Sequence, residues 1–395
     1  MPRLKFSKPK IAIYSGEIPS TTFIERLIKG VADNGYQVYV FGSITKKTAY
    51  KSPNIHVVGY SQSKIQKAYC LLKYSLLLYL FKNKAKQTLD VFINSHSKNT
   101  TLYKLKYYPV LWCQPDIFHI QWAKSIGDWM WLQQFGTKII VSLRGAHINY
   151  SPITIPEVAH MYQDHFPKVN AFHAVSKAIA LEAQKYGASR DNIHVIYSGL
   201  PPLELTFNKR ENTILKIVSV GRSHWVKGYD DAVDACYILK QSGIPFEYKI
   251  IGGKNSEELQ FQITDLQLVN HVQLLNQLPY KEVQEHMMEA DVLLVSSVTE
   301  GIANVVLEAM QLGTLVVSTN CGGMAEVIND GINGFLVPIR QPEKIAETLK
   351  NTVSLSREEK DVMIDEAKKT IANQHTSVRM VKGMMDMYEK VMMHP

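Results

Sequence analysis

The chain has 395 residues, more than one hydrophobic core usually serves, so two domains are expected. Its 46% hydrophobic and 20% charged residues exclude a disordered chain, and four scattered cysteines (Cys70, Cys113, Cys236, Cys321) without a CxxC argue against a disulfide scaffold or structural zinc. The net charge of +8 is uneven: residues 1–200 hold 25 Lys+Arg against 10 Asp+Glu, the remainder 19 against 26, so the first half either meets something anionic or presents a solvated basic surface.

The N-terminus is basic and lacks the apolar stretch of a signal peptide. The nearest approach to a membrane span, residues 69–81, is interrupted by Lys73 and Ser75, so the expected compartment is the cytosol. Short apolar runs predict strands over 10–14, 37–41, 55–58, 91–94, 117–120, 138–143, 171–175 and 194–196. A helix over 21–34 carries Phe23, Leu27, Ile28 and Val31 on one face. Residues 199–212, with two prolines and no periodicity, read as a linker. Beyond it the pattern restarts at 214–220 and alternates: helix 230–242, strand 246–251, a helix, strand 272–275, helix 281–289, strand 291–296, helix 304–312, strand 314–318 and helix 324–329. The last stretch, 376–393, spaces Val381, Met384, Met385, Tyr388 and Met392 helically and packs either on its own domain or back on the first.

The expected class is therefore α/β, two Rossmann-like domains with a cleft between them. The divisions are 1–199, a linker 200–212, 213–375 and a C-terminal helix 376–395.

Three segments of the second half carry chemistry. The strand ending near Ser296 runs into Glu300, Gly301, Ile302 and Ala303. A helix then opens at Asn304, read as its N-cap, with Val305 in the first turn and Glu308 one turn inside. A helix start is an anion site, and flanking carboxylates offer bidentate acceptors to sugar or ribose hydroxyls. After strand 214–220, GRSHWVKG supplies Arg222 as a planar fork and Lys227 as a point charge, together able to clamp a diphosphate. In the third segment Gly322 and Gly323 permit close backbone approach to a ligand, or simply a turn.

Taken together, GRSHWVKG, EGIANVVLEAM and GTLVVSTNCGGMAEVINDGINGFLVP resemble the retaining nucleotide-sugar glycosyltransferases of the GT-B fold, the large family-4 group. The match is clear over about 215–340 and weaker over the first half. The resemblance implies that Arg222 and Lys227 hold the donor diphosphate and that Glu308 binds ribose. It sets Glu300 on the transferred sugar and backbone amides near Asn304 and Val305 on phosphate. Gly301, Ile302, Ala303, Gly16 and Leu278 complete the implied donor set, Leu278 lying in the loop 276–280 toward the base. It further implies a hexose moved with retention of configuration onto a glycan or lipid-linked acceptor for cell-surface polysaccharide, with a nucleotide-sugar co-substrate and neither cofactor nor metal. Relatives carry His-Gly after the strand 138–143. Here Arg144 takes the histidine position and His147 stands three residues on, so either one is the acceptor-side catalytic candidate.

The competing classes lack their motifs: there is no GxGxxG around Gly16, no GxxxxGK[ST], no DxD and no HExxH. No nucleic-acid-binding motif accompanies the basic residues, so nucleic acid is not an expected partner. A silent subunit of the same fold would be expected to have lost some of Arg222, Lys227, Glu300 and Glu308, and a phosphorylase or epimerase remains the other alternative. Residues 61–86 place six lysines (64, 67, 73, 82, 84, 86) around an apolar centre. That pattern fits peripheral docking on an anionic membrane, at the inner face of the cell membrane, or an internal helix with a lysine rim. Trp122, Trp129 and Trp131 read as core residues before sugar platforms.

Overall fold

Parallel strands buried on both faces need near-continuous aliphatic runs, and the chain supplies them at regular intervals. The structure, a computed structural model, describes residues 8–46, 48–96, 99–203 and 212–393. The linker expected over 200–212 lies largely outside these residues.

The chain divides into two compact units. The first comprises residues 1–174, 180–196 and 377–395, the second residues 175–179 and 197–376. Unit 1 is built on seven strands: β1 Ile11–Ile18, β2 Val38–Ile44, β3 Ile55–Ser61, β4 Ile117–Ile120, β5 Lys138–Leu143, β6 Ala171–Ala174 and β7 Ile193–Val195. They lie in the order β3-β2-β1-β4-β5-β6-β7, all parallel. Unit 2 carries β8 Leu215–Val220, β9 Phe246–Ile251, β10 Val272–Leu275, β11 Val292–Val295, β12 Leu315–Thr319 and β13 Phe335–Val337, in the order β10-β9-β8-β11-β12-β13 and again parallel. Both sheets therefore reverse direction between their first and fourth strands, which puts a ligand crevice beyond the carboxyl ends of β1 and β4 in one and of β8 and β11 in the other.

The helix Thr22–Asp33 buries Ile24, Leu27, Ile28 and Val31, while Phe23 is only partly covered. Against it lies the helix Ser377–Met393, which contributes Met380, Val381, Met384, Met387, Tyr388 and Val391 to the same core. The two approach most closely at Gly30, where a Cβ would overlap the Val381 side chain. Met392, placed on the buried face by its spacing, is instead exposed.

One predicted strand is a helix. Residues 91–94 fall inside the helix Asn83–His96, whose Leu89 and Ile93 are buried four residues apart while Val91 is 70% exposed. A strand would have set Val91 and Ile93 on one face, and only helical spacing separates them. β1 runs on to Ile18 through an irregularity between Tyr14 and Gly16, so Gly16 lies within the strand and not after it. The helix expected over 324–329 is a short 3-10 turn, Met324–Glu326. Further helices had no counterpart in the expected pattern, among them Thr100–Cys113, Pro156–His165, Lys177–Gln184, Pro342–Ser354 and Arg357–Gln374.

Candidate active site

Four strand exits meet at the crevice of unit 2. β8 leaves through Gly221 into a loop that ends in a single turn, Trp225–Lys227, and Gly228 then starts the helix Tyr229–Gln241. This loop is pinned to the exit of β11: Ser296 Oγ donates to the Lys227 carbonyl at 2.8 Å and the Val298 N–H donates to the Val226 carbonyl at 2.8 Å. Gly228 has φ +57°, and a Cβ there would overlap the Ser296 carbonyl oxygen. From the other side, the Ser223 N–H donates to the Gly252 carbonyl just past β9 at 3.1 Å, and the Tyr229 hydroxyl donates to the Gly221 carbonyl at 3.1 Å.

Lys227 and Glu300 are thereby brought together. Lys227 Nζ lies 2.6 Å from Glu300 Oε1, and Ser297 Oγ donates to the same carboxylate oxygen at 3.1 Å. Both side chains are mostly buried, which weakens screening of the pair by water. Arg222 is exposed on the same loop. The loop also contributes His224, which the motif reading passed over. Partial burial, then the charges of Arg222 and Lys227, hold its imidazole below the usual histidine range.

The glycine pair braces the Glu300 loop. Gly322 has φ +55° and packs so closely that a Cβ would overlap the Glu300 carbonyl. The Gly323 N–H donates to the Gly301 carbonyl at 2.7 Å. The close approach that these glycines permit is thus to the loop itself. Thr319 Oγ1 adds a bond to the Ser297 carbonyl at 2.5 Å. Beside them Cys321 is buried, and burial pushes its thiol up to about 11, so it is an inert core thiol.

Asn304 is not the N-cap. It is the first residue of the helix Asn304–Leu312, Ala303 holds the cap position, and no side chain caps the turn. Alanine has no side chain able to cap, so the first turn lacks the bond that an asparagine at that position would have made to its own helix. Ile302 and Ala303 are buried in the core of unit 2, so only their backbone can face a ligand. Val305 and Leu278 pack against that core, Leu278 in the loop after β10. Glu308 is half-buried one turn into the helix.

The remaining candidates lie in unit 1. Arg144 directly follows β5, its guanidinium 4.4 Å over the Phe23 ring, and Nη2 donates to Gln121 Oε1 at 3.1 Å. Burial pushes this guanidinium down to about 9. The His147 ring stacks on Trp122 at 5.2 Å, and its backbone carbonyl accepts the Tyr162 hydroxyl at 2.8 Å. Trp129 and Trp131 are core residues, while Trp122 is part-covered and donates to the Ser15 carbonyl at 3.0 Å. Gly16 has φ +84°, the left-handed region that favours glycine, with open space where a Cβ would stand.

The glycosyl transferases group 1 family model matches residues 204–370, and the Glycosyltransferase Family 4 model matches residues 20–202. The chain is 34% identical over 214 residues to the amylovoran biosynthesis glycosyltransferase AmsK of Erwinia amylovora (51% of this chain, 52% of that one). It is 32% identical over 219 residues to the putative colanic acid biosynthesis glycosyltransferase WcaL of Escherichia coli K12 (53% and 54%). The matched region thus spans about half the length of these curated relatives. Among solved structures, a glycosyltransferase from Rickettsia africae superposes with TM-score 0.72 at 18% identity over 99% of this chain and 100% of that one. Anabaena HepE in complex with UDP-glucose superposes with TM-score 0.70 at 16% identity over 98% and 100%. With two consecutive family models covering nearly the whole chain, and two parallel Rossmann-like sheets in the GT-B manner, this protein belongs to the group 1 glycosyl transferases.

Proposed function

We propose that the protein is a retaining glycosyltransferase, transferring a hexose-type sugar from a nucleotide diphosphate sugar to a glycan or lipid-linked acceptor during cell-surface polysaccharide synthesis. The observation that carries this reading is the Lys227–Glu300 pair at 2.6 Å, held on the two strand exits that flank the crevice of unit 2. In this reading Arg222 and Lys227 take the donor diphosphate, the first turn at Asn304 and Val305 supplies N–H donors, Glu308 takes the ribose and Glu300 the sugar. As the bond to the sugar breaks, charge grows on the leaving diphosphate, and positive groups already in place stabilise it most at that moment. In this reading no metal takes part, and the diphosphate oxygen itself serves to deprotonate the acceptor.

A thermal-shift screen with UDP, GDP, ADP and their sugars tests the donor half, since a ligand that binds the folded state raises its apparent stability. A radiolabelled panel of the same sugars tests transfer. No shift and no turnover with any of them overturns the reading.

The acceptor is proposed to be reached at an anionic membrane surface on the cytoplasmic side. No helix among the described residues is long and apolar enough to cross a membrane. The helix Lys64–Phe81, however, turns Ile65, Tyr69, Leu72, Leu76, Tyr79 and Leu80 outward at 54–82% exposure along one stripe, while Leu78 on the opposite side is buried. An exposed apolar stripe of this size is unusual on a free surface. Around it, residues 34–89 contain nine lysines and no Asp or Glu. Lys82 and Lys86 are engaged within the protein, by the carbonyls of Leu111 and Trp112 and by Asp90, whereas Lys64, Lys73 and Lys84 are exposed. Flotation with vesicles containing anionic lipid, lost in Leu72→Glu/Leu76→Glu, is the expected result. Equal recovery with neutral and anionic vesicles would remove the membrane from the proposal.

A further inference from the structure

Behind the crevice of unit 1 runs a buried chain of hydrogen bonds whose direction follows from one end. The Ile196 carbonyl can only accept, so His173 Nε2 carries the proton and donates to it at 2.9 Å. Burial keeps His173 and His119 neutral, lowering His119 to about 3. His173 Nδ1 is then bare and accepts the Ser142 hydroxyl at 2.8 Å. Ser142 Oγ accepts from His119 Nε2 at 2.9 Å, and His119 Nδ1 accepts the Tyr388 hydroxyl at 2.8 Å. With its one proton given to His173, Ser142 has none for Gln121 Oε1, 3.5 Å away. That oxygen is left to Arg144 alone.

The partners that Arg144 meets directly are therefore uncharged. Phe23 lies under its face, Gln121 accepts one N–H, and the histidines and tyrosine beyond are neutral. No carboxylate pairs with Arg144 among the described residues. Its Nε is enclosed without a hydrogen-bond partner, and so is Nε2 of Gln121, a side chain with 0% exposure. A part-buried guanidinium without counter-charge is costly, and the group that repays it is an oxyanion, which matches the guanidinium fork with two parallel hydrogen bonds.

We infer that Arg144 anchors an oxyanion subsite, so that the acceptor presents a phosphate or a carboxylate at the carboxyl ends of β4 and β5, with Gln121 as the positioning residue. The word acceptor rests on the glycosyltransferase reading, but the anion binding does not. The sequence alternative of a histidine substitute is then unnecessary, because Arg144 has its own task.

Calorimetry on the full chain tests this with inorganic phosphate and D-glucuronate as probes and D-glucose as the uncharged control. An Arg222→Gln/Lys227→Gln background keeps the proposed diphosphate clamp from capturing either probe. At least one anion binds, glucose does not, and Arg144→Gln weakens that anion at least tenfold. Phosphate alone points to a phosphorylated acceptor and glucuronate alone to an acidic sugar. Arg144→Lys retains the charge but not the fork, and is expected to lose part of the affinity. It decides the matter if Arg144→Gln does not fold. Binding of neither anion, or unchanged affinity in these variants, overturns the subsite. Because no probe is a nucleotide, that failure is distinct from failure of the donor reading.

Discussion

Lys227 and Glu300 are 73 positions apart in the chain and touch because adjacent strands deliver them to one edge. Lys227→Met is expected to lower kcat by about 10²–10³, the usual effect of deleting one preorganised charge donor, measured with radiolabelled donor. The stability loss should be smaller than the loss of activity, about 1–3 kcal/mol for a mostly buried carboxylate that loses one partner and keeps Ser297. Wild-type turnover in the variant would remove Lys227 from the chemistry. Two glycines separate backbone strain from close packing. Gly16→Ala meets only the strain of its positive φ and should cost about 1–2 kcal/mol. Gly322→Ala also drives a Cβ into the Glu300 carbonyl, so it should destabilise more and raise KM for the donor. Equal melting temperatures for the two variants would contradict that account. Lys227 and Glu300 could be singled out from the sequence because each follows a strand end within a few residues, though their ion pair could not. Gln121 was not legible, since its importance comes from Arg144 at the end of the neighbouring strand and from the direction of a hydrogen-bond chain.

At the scale of elements, the buried parallel strands were the most readable, as their aliphatic runs serve both faces at once. The error at 91–94 has the same origin, for a four-residue apolar run looks alike in a buried strand and in a helix. Substitution distinguishes them. Leu89→Ala should cost about 2–5 kcal/mol, whereas Val91→Ala should stay within about 0.5 kcal/mol, by denaturant titration. Comparable losses would restore the strand. The helix Arg357–Gln374 had a signal that went unused. Ser356 and Glu359 form a capping box, with the Glu359 N–H donating to Ser356 Oγ at 3.2 Å and the Ser356 N–H donating to Glu359 Oε2 at 2.7 Å. At Asn304 the reverse holds: a residue fit to cap stands one position inside the helix, and Ala303 occupies the cap.

For the whole molecule, the buried histidines set a pH dependence. His119 and His173 are neutral when folded and take up protons near 6.5 when unfolded, so the unfolded chain binds more protons below that pH. Stability from this source is complete above about pH 6.5 and falls as the pH drops below it, for His119 down to about 3, by up to about 1.4 kcal/mol per pH unit for each histidine. Urea midpoints at pH 7 and pH 5 should differ accordingly, with a smaller difference in His119→Gln; identical midpoints in the parent would refute it. A consequence for synthesis follows from the helix Ser377–Met393, whose Met380, Met384 and Tyr388 complete the core of unit 1. On the ribosome the first sheet emerges early, yet its last wall arrives only after Tyr197–Thr376 has been made. The half of the chain that is translated first is the half that is finished last, and until then the Ile24–Leu27–Val31 face must wait uncovered, a natural place for a chaperone to hold on.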